Sequence, residues 1–214
     1  MRVVLDNLDL FAEGIRTTVA LTLLSWIGAF VLGVVVASFR VGPIPPLRAA
    51  GTVYVEMVRN CPLAVLFVVF FFGFPKIGII QPPFTSAVIV LAAYTGAFVA
   101  ETVRAGFNTV APGQVEAARS LGLNFRQVLG LVVLPQALRS VVAPLGNLFI
   151  ALIKNSSIAY TISVVELTGT AQRLGNSSAQ YVPVFLGAAL AYLALTLPSG
   201  ALVGAIERRV AIKR

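Results

Sequence analysis

Residues 104–139 read RAGFNTVAPGQVEAARSLGLNFRQVLGLVVLPQALR. They carry four arginines, yet they are too apolar for a linker and hold the signals of two short helices. Pro112 suits a first helical turn, where its missing N–H is not needed. Val115, Ala118 and Leu121 recur at helical spacing. Gly122 then fits a left-handed position that closes a helix. Asn124 can cap the next helix, with Gln127 three residues on as its reciprocal partner. Pro135 is expected to end or bend that second helix. A helix, a glycine turn and a second helix make a compact hairpin. Taken alone, it could also be an amphipathic hairpin lying on lipid.

Outward from this hairpin the chain is poor in charge, with long charge-free runs. Of 214 residues, 58% are hydrophobic and 11% charged, whereas a soluble domain carries about 25% charged residues. Mean hydropathy is +0.93, which makes a bilayer the natural solvent. A membrane helix needs about 20 apolar residues. Charge-free runs therefore predict five spans, at about 17–39, 52–75, 84–104, 137–154 and 181–206, with the hairpin of about 106–135 between the third and fourth. All belong to one membrane domain over 1–214. The expected fold class is an all-α membrane protein. Three rows of small residues at four-residue spacing suit close helix packing in lipid: Ala29, Gly33 and Ala37; Ala92, Gly96 and Ala100; Gly200 and Gly204.

Net charge is +8, from 16 Lys and Arg against 8 Asp and Glu. In a membrane chain this reads as orientation rather than nucleic-acid binding, since basic residues collect in cytoplasmic loops. With the N-terminus outside, eleven basic residues face the cytoplasm: Arg40, Arg48, Arg59, Arg104, Arg119, Arg126, Arg139, Arg208, Arg209, Lys213 and Arg214. Five do not: Arg2, Arg16, Lys76, Lys154 and Arg173. The expected topology is a multi-pass chain in the cell membrane, N-terminus outside and C-terminus inside.

There is no histidine and one cysteine, Cys61. That excludes His-ligated metal, Ser-His-Asp and Cys-His catalysis and iron–sulfur clusters, so no metal and no cofactor are expected. The lysines follow Pro75, Ile153 and Ile212, so none stands in a phosphate-binding loop, whose lysine follows a glycine. The chain is read as no enzyme, and any ATP must be hydrolysed by a separate chain.

Charges beside apolar runs normally face a cavity or one another. Glu101, Lys154 and Glu166 are of this kind. These charges do not by themselves choose an amino acid over a sugar or a peptide, but a free amino acid carries a carboxylate and an ammonium, and buried charge must be compensated. Lys154 can take the carboxylate and Glu166 or Glu101 the ammonium, while Asn155, Ser156 and Ser157 offer neutral hydrogen bonds. Lys154 and Glu101 serve equally well as snorkelling or structurally paired groups.

Glu116-Ala117-Ala118, then Gly122, then Leu134-Pro135, resembles the EAA loop of bacterial ABC importer permeases, with Val132-Val133 where that family often has an isoleucine. The stretch from Tyr54 to Leu63 is similar to the opening of the second span in polar amino-acid permeases, which usually have Gly-Thr at the place of Asn60-Cys61. Phe98 to Gly106, Leu152 to Ser157 and Val165 to Thr168 resemble later segments of the same permeases. The likeness runs over about residues 15–207 and is nearest to the glutamate-type permeases of actinobacteria. It implies the type I ABC importer permease fold and ATP-driven import of glutamate or a related polar amino acid by alternating access. It also implies that Gln114, Glu116, Ala117, Ala118, Leu121, Gly122 and Phe125 couple to the ATPase. The implied partners are a cytoplasmic ABC ATPase dimer, a second permease chain (a second copy or a homologue), an extracytoplasmic amino-acid-binding protein and membrane lipid. The rival reading is an ion-coupled secondary transporter or channel subunit, which has no need of the 113–135 hairpin.

Overall fold

The computed structural model of the chain describes residues 2–210. Lys213 and Arg214, which enter the orientation count, lie outside the described residues. Everything regular among those residues is helical. A short α1 (Arg2–Leu5) leads into α2 (Leu8–Val41), which stops at Gly42 beside Pro43. Pro45 opens α3 (Pro45–Arg59) at a position that has no use for an N–H.

The expected second span is not one helix. Asn60 and Cys61 interrupt it, and Pro62, which lacks a donor, precedes α4 (Leu63–Val68). α4 runs on through a π turn (Val69–Gly73) and a 3₁₀ turn (Phe74–Ile77). α3 and the Leu63–Ile77 run meet at 105°. The 52–75 stretch is therefore not one straight span but two helical segments at a sharp angle, the first of which starts earlier than its charge pattern suggests.

The third expected span is α5 (Pro83–Phe107). The hairpin consists of α6 (Pro112–Ser120), the Gly122 turn and α7 (Phe125–Gln127). From α7 the chain passes through a π turn (Val128–Val133) into α8 (Leu134–Asn155) and a 3₁₀ turn (Ser156–Ile162). Pro135 thus does not end the helix. It falls in the first turn of α8, where its missing N–H is tolerated, and Phe125–Ile162 forms one 38-residue helical run. The expected 137–154 span is only the later part of that run. Then come α9 (Leu167–Ser178) and α10 (Tyr181–Val210).

Among the described residues four helical runs are long and apolar enough to cross a membrane, five if the bent pair counts as one span. α2 and α5 form the tightest pair. Ala29, Gly33 and Ala37 are buried against Gly96, Ala97 and Ala100. A Cβ on Gly33 would run into the Val99 side chain, and one on Gly96 would stand 3.3 Å from the Ala29 carbonyl. Only glycine permits this approach, and backbone proximity takes the place of a water-driven core. The Gly200 and Gly204 row makes no such contact: a Cβ at Gly200 would meet only Ile150, at 3.8 Å. No part of the most apolar window of α10 is buried within the chain. Leu190, Leu193, Leu197 and Leu202 are all exposed, as expected of a surface meant for lipid or another membrane chain.

Candidate functional site

α8 delivers Lys154 to its last turn, next to Asn155. Lys154 is exposed and lies in no salt bridge among the described residues. It faces a cavity of about 520 Å³ whose polar wall is Lys154, Ser157, Thr168, Tyr192 and Thr196 and whose apolar wall includes Phe185, Ala188, Ala189 and Leu193. α8, α9 and α10 each supply part of this wall. The volume lies within the range of small-molecule sites.

Glu166 stands behind that wall and is fully buried. It caps α9: its Oε1 accepts from the Gly169 N–H at 2.8 Å and its Oε2 from the Thr168 N–H at 3.0 Å. Tyr192 donates its hydroxyl to the same Oε2 at 2.5 Å and stands 3.1 Å from the Thr168 hydroxyl. A carboxylate at a helix N-terminus is favoured by the free N–H groups and the helix dipole. Glu166 thus reaches the cavity through Tyr192. Ser156 is buried and donates to the Ile153 carbonyl at 2.8 Å, and Asn155 is half-buried. Neither lines the cavity. The hydroxyls of Tyr192 and Thr168 were not among the candidates drawn from the sequence. Their one signal is polarity beside or within an apolar run, which Thr196 and Ser199 share.

Glu101 is not brought to Lys154. It accepts from Arg40 at Oε2 and from Arg104 at Oε1, each at 2.5 Å, and Arg59 stands 3.6 Å from Oε2. It borders a different cavity, of about 290 Å³, with Thr102, Thr109 and Ser140. The structure therefore gathers Lys154, Ser157 and, through Tyr192, Glu166. It sets Glu101 in an arginine cluster where α2, α3 and α5 end.

The hairpin is a second assembled feature. Gly122 has φ 80, and its N–H donates to the Arg119 carbonyl while the Leu123 N–H reaches back to Ala118. These two bonds close α6 as a left-handed glycine does. Asn124 and Gln127 exchange side-chain and backbone bonds at 3.0 and 2.9 Å, so the reciprocal cap is formed. Ala118 is buried against the rest of the hairpin. Gln114, Glu116, Ala117, Leu121, Gly122 and Phe125 are exposed. Leu121 is 83% exposed and Phe125 69%. Two large apolar groups thus stand exposed at the tip of a polar protrusion.

Comparison with known proteins agrees with this architecture. The model of a family described as "Binding-protein-dependent transport system inner membrane component" matches residues 29–212. The probable glutamine ABC transporter permease protein GlnM of Bacillus subtilis is 39% identical over 208 residues, covering 97% of this chain and 96% of its own. The glutamate transport system permease protein GluC of Corynebacterium glutamicum is 38% identical over 210 residues, covering 92% of each. A crystal structure of an amino acid ABC transporter with histidines superposes with a TM-score of 0.92 at 33% identity, over 96% of both chains. The inward-facing MetNI methionine ABC transporter shares the fold, with a TM-score of 0.79 at 22% identity over 96% of this chain and 98% of that one.

Proposed function

Because the chain belongs to the family of binding-protein-dependent transport system inner membrane components and has the type I ABC importer permease fold, we propose that it is the membrane subunit of an ATP-driven amino-acid importer taking glutamate or a related polar amino acid. The observation that carries the proposal is Lys154: a cation without a salt-bridge partner among the described residues, facing a cavity between α8, α9 and α10. A cation there suits a carboxylate, and the hydroxyls of Ser157, Thr168 and Tyr192 suit the remaining polar atoms of a zwitterion. Glu166 influences the ammonium end through Tyr192. Asn155 and Ser156 support the turn that carries Ser157, and Glu101 acts at a distance from the pocket.

In this reading the N-terminus is outside and the hairpin is cytoplasmic. Gln114, Glu116, Ala117, Leu121, Gly122 and Phe125 form the surface that meets a cytoplasmic ATPase dimer, while Ala118, buried within the hairpin, holds that surface in shape. A second permease chain covers the open side of the cavity, and an extracytoplasmic binding protein delivers the substrate. ATP binding draws the hairpins together and switches the spans between inward- and outward-facing states, each of which binds its partners differently.

The test is Lys154→Met, which keeps a long apolar stem and removes the charge. Uptake of labelled glutamate, glutamine and arginine is measured in vesicles and normalised to assembled complex. Loss of a charge-assisted bond of about 2–5 kcal/mol predicts a fall of more than tenfold in apparent affinity. If the variant assembles and transports all three like the parent, the site lies elsewhere.

A further inference from the structure

Glu101 gathers more positive charge than it can neutralise. Arg40, Arg59 and Arg104 converge on this one carboxylate, leaving a surplus of two charges, which Glu56 beside Arg104 lowers to one. Hydrogen-bonding capacity is equally one-sided. A guanidinium offers five N–H donors, and a carboxylate offers about four acceptor positions. The Arg40 side chain is 8% exposed, and its Nε is buried without an acceptor; Arg104 Nε is in the same condition. Buried donors without acceptors are costly, and a group with several oxygens relieves them.

The position of the cluster identifies that group. Arg40 is the penultimate residue of α2, Arg59 the last of α3, and Arg104 lies in the last turn of α5. All three mark the hairpin end of the bundle, where spans meet the headgroup layer. Arg59 and Arg104 each keep 35% of their side chain exposed, so a ligand reaches them without unfolding the site. Arg59 also lies over the Phe98 ring at 5.3 Å, which fixes its fork.

We infer that Arg40, Arg59 and Arg104 bind the phosphate of an anionic phospholipid headgroup in the hairpin-side leaflet. A phosphate matches the planar fork of arginine with two parallel bonds. Basic pockets between membrane helices hold anionic headgroups for the same reason.

The experiment uses the assembled transporter. Native mass spectrometry counts retained lipid, and thermal unfolding is followed in nanodiscs of phosphatidylcholine with and without phosphatidylglycerol. The parent is expected to retain phosphatidylglycerol over phosphatidylcholine and to melt higher when it is present. Arg59→Gln spares the two shortest ion pairs of Glu101. It is expected to lower phosphatidylglycerol retention about tenfold, the loss of one charge-assisted contact, and to abolish the lipid-dependent rise in melting temperature. Arg59→Lys, which keeps the charge without the fork, is expected to fall between. Equal retention of the two lipids by the parent overturns the inference whatever the variants do, as does parent-like retention by Arg59→Gln. If Arg59→Gln does not assemble, full retention by Arg59→Lys overturns it. Added inorganic phosphate is expected to leave the lipid in place. Displacement by it would assign the cluster to a soluble anion instead.

Discussion

A single hydroxyl joins the candidate pocket to the helix behind it. Tyr192 completes the shell of Glu166, whose other donors are two backbone N–H groups. Tyr192→Phe removes that donor and leaves the ring in place. A buried acceptor short of a partner costs about 1–3 kcal/mol, so the assembled protein should melt several degrees lower. Unchanged thermal unfolding, followed by size-exclusion of the detergent-solubilised complex, would show that the hydroxyl contributes nothing. This contact was not legible in the sequence, because the two residues are 26 positions apart and nothing local announces them. Glu101 was harder still. Its partner Arg40 lies 61 positions away, and a carboxylate beside an apolar run reads alike whether it faces a substrate or a guanidinium. Lys154, by contrast, was visible as a cation bounded by an apolar run.

At the scale of elements, local chemistry was the most readable. Gly122 adopts the left-handed conformation, and Asn124 with Gln127 forms the reciprocal cap, because such signals act within a few residues. The interrupted second span was missed although Pro62 marks it, since charge-free runs report apolarity and not straightness. The π turn at Val128–Val133 carries no distinctive composition, so the sequence offers Pro135 as an end or a bend of the second helix, whereas it falls in the first turn of α8. The Gly122 turn yields its own prediction. Gly122→Val forces a β-branched residue into positive φ, which is strongly disfavoured. No neighbour lies within 4 Å of the added Cβ, so any loss comes from backbone strain and not from a clash. The spans should insert normally while substrate-stimulated ATPase activity of the reconstituted complex falls severalfold. Activity equal to the parent would remove the turn from the coupling surface.

For the whole molecule, the proposed orientation is open to a direct test. Single cysteines at Asn7 and Gln114, in a Cys61→Ser background, are probed with an impermeant thiol reagent. Position 7 should label in intact cells, and position 114 only after lysis. The reverse pattern would invert the protein in the membrane and place the hairpin outside. The uninterrupted run from Phe125 to Ile162 has a mechanical consequence. The hairpin tip and Lys154 sit on one rod, 29 residues apart and so about 44 Å at 1.5 Å per residue. Force applied at Phe125 travels to the pocket along one helical run, whose places to bend are the π turn at Val128–Val133 and Pro144 inside α8. Such a rod transmits phase as well as displacement. One alanine inserted in α8 between Leu145 and Phe149 would turn Lys154 by about 100° about the axis, pointing it away from the cavity while the hairpin stayed intact.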